Sequence, residues 1–314
     1  MTANAMDERL RITVGPVLYY WPRKSLIDFY AGIADSPAET VVLGEVVCSR
    51  RHEMKLEDWL SLARELAECG KEVVLATQAL LESESDLRDM RRLAAQDEFL
   101  VEAGDASALR ALAGRPFVLG PHVNVYSQPA LVEHAGLGAI RWVAPVELSL
   151  EAIGLVNPSH APVAGGPRAD TPIATEVFAF GRLPLAFSAR CFTARHYHLN
   201  KDECGFRCIE HPDGLLLSTA EGAPFLTLNG IQTQSAAQQC LIGDGATIRD
   251  AGVTRVRLSP AAQHFATVID RFDQVLNHQG DAGAARAELE AISPPGGLAD
   301  GFAHRRPGLE RSWT

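Results

Sequence analysis

Residues 40–78 read TVVL GEVVCSRRHEMK LEDWLSLARELAECG KEVVLATQ. A β-branched run, Thr40 to Leu43, passes through a polar loop into a stretch with helical spacing, Leu56 to Cys69. Gly70 stops that helix, and a second β-branched run, Glu72 to Ala76, follows. This is one strand-helix-strand unit, and the same rhythm extends in both directions. Strands are expected at Ile12 to Tyr20, Phe99 to Glu102, Pro116 to Leu119, Ile140 to Val143 and Thr175 to Phe180. Helical patterns fill the gaps at Ser25 to Ala34, Asp86 to Ala94, Ala106 to Ala113 and Ala130 to Gly136. Repeats of about 20 to 30 residues imply a parallel sheet with right-handed crossovers.

More than six such units, with no Gly-x-Gly-x-x-Gly turn after the first strand, favour an α/β fold of the (β/α) barrel kind over a dinucleotide-binding sheet. A single barrel-like domain is expected over residues 11–292, with irregular tails at 1–10 and 293–314. Late in the chain, Pro224 to Leu228 and Thr254 to Leu258 read as strands. Ala236 to Ile242 and Ala261 to Asn277 read as helices. Barrels place their chemistry at the C-terminal strand ends, where this sequence carries Glu45, Cys48, Thr77, Gln78, Glu102, His122, Asn124, Tyr126 and Glu147. Each is equally readable as an ordinary rim residue.

The 314 residues carry a formal net charge of −10, which argues against coating nucleic acid, and Arg50-Arg51-His52 reads as a solvated loop. No run approaches the roughly 20 apolar residues of a membrane span, and the first residues lack the pattern of a secretory signal. A cytoplasmic location is therefore expected. Six cysteines are too sparse for a disulfide scaffold in a chain of this length.

Half of those cysteines fall between Cys191 and Cys208. The segment from Pro184 to about Gly214 has no clear period and is expected to be a cysteine-bearing insertion. Twelve residues separate Cys191 from Cys204, and three separate Cys204 from Cys208. Three readings stand side by side: buried unligated thiols, a zinc site completed by His196 or His198, and a four-cysteine iron-sulfur cluster. A fourth sulfur would come best from Cys48, just past a strand end, or else from Cys240. Cys69 continues the Leu62, Leu66 spacing and reads as a small core residue. Arg190 and Arg195 flank Cys191, where they could lower its thiol pKa or balance cluster charge. Both are as readily surface charges, and His196 and His198 as readily exposed loop histidines.

The segments Pro184 to Arg195 and Lys201 to Cys204 resemble the collagenase-like peptidase family. Val14 to Pro22, Leu43 to Arg51 and Leu228 to Thr233 carry the same resemblance, which covers roughly residues 11–259. It implies a protein of oxygen-independent ubiquinone biosynthesis, with a [4Fe-4S] cluster on Cys48, Cys191, Cys204 and Cys208. It also implies a heterodimer with a UbiU-like relative that hydroxylates the ring of a ubiquinone-pathway intermediate. The contrasting reading is a zinc-binding or cluster-stabilised partner subunit without catalysis of its own. Cys240 matches no ligand of this pattern, although the UbiU-like relative uses a late cysteine in a comparable region. Proteolysis is not expected, because His-Glu-x-x-His, Gly-x-Ser-x-Gly and a nucleophile-base pair are all missing.

Overall fold

The computed structural model describes residues 9–167 and 169–313. Its first strands are β1 (Arg11–Val14), β2 (Thr40–Leu43), β3 (Glu72–Ala76), β4 (Leu100–Ala103), β5 (Phe117–Leu119) and β6 (Ala139–Val143). A small hairpin of β7 (Ala164–Gly165) and β8 (Thr171–Pro172) precedes the long β9 (Ala174–Phe187). Then come β10 (Leu215–Ser218), β11 (Pro224–Asn229), β12 (Gln232–Cys240), β13 (Val253–Leu258) and β14 (Leu298–Ala299). The helices are α1 (Arg23–Ala34), α2 (Leu56–Glu68), α3 (Glu84–Ala95), α4 (Ala106–Leu112), α5 (Gln128–Leu137), α6 (Leu150–Val156), α7 (Phe192–His196), α8 (Gly245–Asp250), α9 (Phe265–Asn277) and α10 (Ala282–Ile292).

Strands β1 to β6 pair in order and in parallel, β6 pairs with β9, β9 with β13, and β13 returns to β1. Eight parallel strands thus close a barrel, as the strand-helix rhythm implies. Asp105, Ser127 and Ser149 cap α4, α5 and α6 by accepting from backbone N–H groups of the first turn. Such caps fix where each crossover helix begins, at about 1 kcal/mol apiece.

The barrel interior is partly ionic. Arg257 pairs with Glu102 and with Glu176, each at 2.5 Å, and Thr13 Oγ1 donates to Glu176 at 3.2 Å. A second set joins Glu72 to Arg141 at 2.7 Å and to Arg255 at 3.1 Å. Glu102, expected at a strand end, is therefore a buried counter-ion inside the barrel.

Two late elements differ from expectation. Residues Ala236 to Ile242 are not helical: they lie largely in β12, which pairs antiparallel with β9 and β11 and parallel with β14. Two neighbouring strands, β9 and β14, pair with the backbone there and override the helix preference of Ala and Gln. The tail beyond residue 292 is also not wholly irregular. Leu298 and Ala299 pair with β12, and Asp300 and Ala303 are buried. The expected tail at 1–10 falls mostly outside the described residues. Helix α9 starts at Phe265 rather than Ala261, and β1 stops at Val14 before Gly15-Pro16.

Beyond the barrel, β9 continues to Phe187 and joins β12, β11 and β10 in an antiparallel extension. The irregular segment therefore begins after Phe187 rather than at Pro184. Gly181 makes the change of direction, with φ +114° and a Cβ position 2.7 Å from Ser259 Cβ.

Candidate metal centre

The loop after β2 is built around Glu45 and Arg51. The Glu45 carboxylate accepts from the backbone N–H of Val47 at 2.9 Å and of Cys48 at 3.0 Å, which folds the loop back on itself. Arg51 is buried, correcting its reading as part of a solvated loop. Its guanidinium donates to Leu18 O at 2.8 Å and Asn229 Oδ1 at 2.7 Å and stands 3.5 Å from Glu45. One side chain thus ties the loop after β1, the Cys48 loop and the β11–β12 hairpin together.

The second group of cysteines is docked on that hairpin. Gly230, at φ +62°, accepts from Phe192 N at 2.8 Å through its carbonyl, and its N–H donates to Thr193 Oγ1 at 3.0 Å. These bonds seat α7, whose N-cap is Cys191 with its Sγ accepting from Ala194 N at 3.4 Å. Left-handed Gly205 and Phe206 reverse the chain between Cys204 and Cys208. Arg50 pairs with Asp202, which pins the turn before Cys204 to the Cys48 loop. Arg207 lies 4.5 Å over the Tyr197 ring, whose hydroxyl meets His211 Nε2 at 2.7 Å. As a result Cys48, Cys191, Cys204 and Cys208 line one cavity, together with Arg50, Arg51 and Phe206.

The model of peptidase family U32 matches residues 24–313. The chain belongs to peptidase family U32. Among solved structures it is similar to the U32 peptidase Mk0906, with 10% identity, a TM-score of 0.43, and coverage of 83% of this chain and 97% of that one. It is also similar to the phospho-2-dehydro-3-deoxyheptonate aldolase of Thermotoga maritima, with 10% identity, a TM-score of 0.42, and coverage of 86% and 70%.

In this U32 family chain the thiols sit where burial opposes ionisation. Cys48 is pushed up to about 11 by burial, against the pull of nearby Arg51. Cys208 is likewise raised by burial and opposed by Arg51. A metal that binds thiolates here would displace those protons on loading. Four sulfurs and no oxygen ligand form the donor set that soft metals and iron-sulfur clusters select.

Among the described residues, only Asp244, Asp300 and His304 bring three or more His, Cys, Asp or Glu ligand atoms within 4.8 Å of one another, so no three of the four cysteine sulfurs do.

The remaining candidates fall elsewhere. His196 and His198 are exposed, and so are Arg190 and Arg195; none lines the cysteine cavity. The cations that line it are instead Arg50, Arg51, Lys201 and Arg207. Cys240 is fully buried in β12 outside that cavity, and Cys69 is exposed at the end of α2 rather than in the core. At the barrel rim, Tyr126 donates to Glu147 and lies 3.4 Å from Asn124 Oδ1. His122 packs edge-on against Phe187 at 4.8 Å. Thr77 and Gln78 line a separate cavity of about 320 Å³ between α2 and α3, which Glu45 and Arg51 also reach.

Proposed function

We propose that this chain carries a [4Fe-4S] cluster on Cys48, Cys191, Cys204 and Cys208 and acts as a UbiV-type protein. In that role it pairs with a UbiU-like relative in the cytoplasm and supports oxygen-independent hydroxylation of a ubiquinone-pathway intermediate. The observation that carries the cluster assignment is the convergence of Cys48 with three cysteines more than 140 residues away on one cavity lined by Arg50 and Arg51. The pathway assignment rests on the resemblance of the cysteine-bearing segments.

Bound there, the cluster would supply one-electron redox chemistry. Four cysteines saturate its ligand positions, so this subunit is better suited to relaying electrons than to binding an oxygen donor at iron. The residues of the chain set the conditions for that relay. Arg50 and Arg51 offset thiolate charge, and the Ala194 N–H bonds the Cys191 sulfur. No helix of the described residues is long and apolar enough to cross a membrane.

Anaerobic purification tests the assignment directly. The expected product is brown, with about four iron and four acid-labile sulfide per chain. Zinc at unit stoichiometry without visible absorption would sink it. The pathway role is tested separately, by anaerobic quinone hydroxylation in cells lacking the chain and complemented with it.

A further inference from the structure

A second cavity, of about 260 Å³, opens beside the C-terminal ends of barrel strands β1 and β13, on the side that faces α9. Its deepest charged group is Arg182, which sits on β9 just past the point where that strand leaves the barrel and is only 5% exposed. Arg182 Nη1 donates to Ser235 O at 3.2 Å and to Ala236 O. Among the described residues it has no carboxylate within 4.0 Å, whereas Arg141, Arg255 and Arg257 inside the barrel each have one. The hydrogen bonds seen for Arg182 among the described residues both leave from Nη1, and the side chain lines the cavity.

A guanidinium stays charged in a protein, and burying it without a counter-ion is costly. The one carboxylate in the lining is Asp213, which accepts from Ala262 N at 2.8 Å and is pushed above the usual carboxylate range by burial. It lies beyond ion-pair distance but attracts Arg182 across the cavity, leaving the fork of Arg182 without a direct carboxylate partner. Around that fork, Tyr19, Phe180 and Val268 are buried and supply an apolar wall. Gln238 adds an uncharged donor and acceptor.

We propose that this cavity binds a small organic acid, its carboxylate paired with Arg182 and its apolar body against Tyr19, Phe180 and Val268. Planar bidentate pairing is what a guanidinium fork offers to a carboxylate, and the strand-end position is where barrels hold their ligands. The site adjoins the cysteine segment. Tyr19 lines it while its neighbour Tyr20 contacts Phe206 at 5.8 Å, on the side of the cysteine cavity. Binding does not depend on what the cysteines hold.

Titration calorimetry of the full chain, with and without metal loading, tests the site using benzoate, benzamide and phosphate as probes. Benzoate is expected to bind, with benzamide at least about 10-fold weaker for lack of the charge. Arg182→Lys keeps the charge but loses the fork, and should weaken benzoate by about 10-fold or more. Since Arg182 also braces two carbonyls, Ala261→Trp provides a second variant that fills the cavity without touching it, and should abolish binding. The proposal is overturned by absent benzoate binding, by equal binding of benzamide, by phosphate binding more tightly than benzoate, or by unchanged binding in folded Ala261→Trp.

Discussion

Cys48 and Cys240 are both candidates for a fourth sulfur, but only Cys48 shares a cavity with the other three. Cys48→Ala should lower iron loading after anaerobic reconstitution by at least about 10-fold, whereas Cys240→Ala should load normally. The reverse pattern would reassign the ligand. Arg51 shows where reading the sequence stops: its run with Arg50 and His52 looks solvated, because the partners that bury it, Leu18 and Asn229, lie 33 and 178 positions away. Arg51→Leu should cost on the order of 3 kcal/mol in urea unfolding and lower cluster retention, since Glu45 and Asn229 lose a charged partner. His122 gives a pH signature of its own. Burial, with Arg257 nearby, holds it down at about 4 against an ordinary 6.5. The unfolded chain thus takes up a proton that the folded one refuses, so stability is full above pH 6.5 and falls as pH drops toward 4. The loss is at most about 3 kcal/mol, and His122→Gln should flatten that slope in unfolding measured from pH 4 to 7.

Most barrel strands were legible because they are short, apolar and followed by a stretch with helical spacing. The extension was not. In β12 the polar and small residues carry no strand pattern and read as helix from Ala236 onward, and their conformation is set by pairing with β9, β11 and β14. The same long-range pairing positions the Gly230 turn on which α7 and Cys191 rest. The joint between barrel and extension is the bend at Gly181, where positive φ and the close approach of Ser259 both exclude a side chain. Gly181→Ala should therefore destabilise by about 2–4 kcal/mol, read as a lower urea midpoint. An unchanged midpoint would mean that the bend tolerates a Cβ and does not fix the path of β9.

At the scale of the molecule, the barrel reaches the cysteine cavity by two routes, the Cys48 loop after β2 and the strand β9. Barrel strand β9 pairs with β12, β12 turns through Gly230 into β11, and that turn holds the segment bearing Cys191. The C-terminal tail completes the far side of β12: Leu298 and Ala299 pair with Gln238 and Gln239, and Gly297 O accepts from Gln238 N at 2.8 Å. His304 lies 3.0 Å from Asp244 and 3.3 Å from Asp300, which fastens the tail to the turn after β12. A tail that reads as irregular from its Pro and Gly content thus protects an otherwise open stretch of sheet, and several backbone groups lose their partners without it. Truncation after Ile292 should lower the urea midpoint and reduce iron retained per chain, even though every removed residue lies outside the cysteine cavity. The coupling is specific to the β12 edge, so His304→Ala should weaken the tail while leaving iron loading near that of the intact chain. Full iron loading and an unchanged midpoint in the truncated chain would disconnect the tail from the site and leave the cysteine cavity supported by the Arg51 and Gly230 contacts alone.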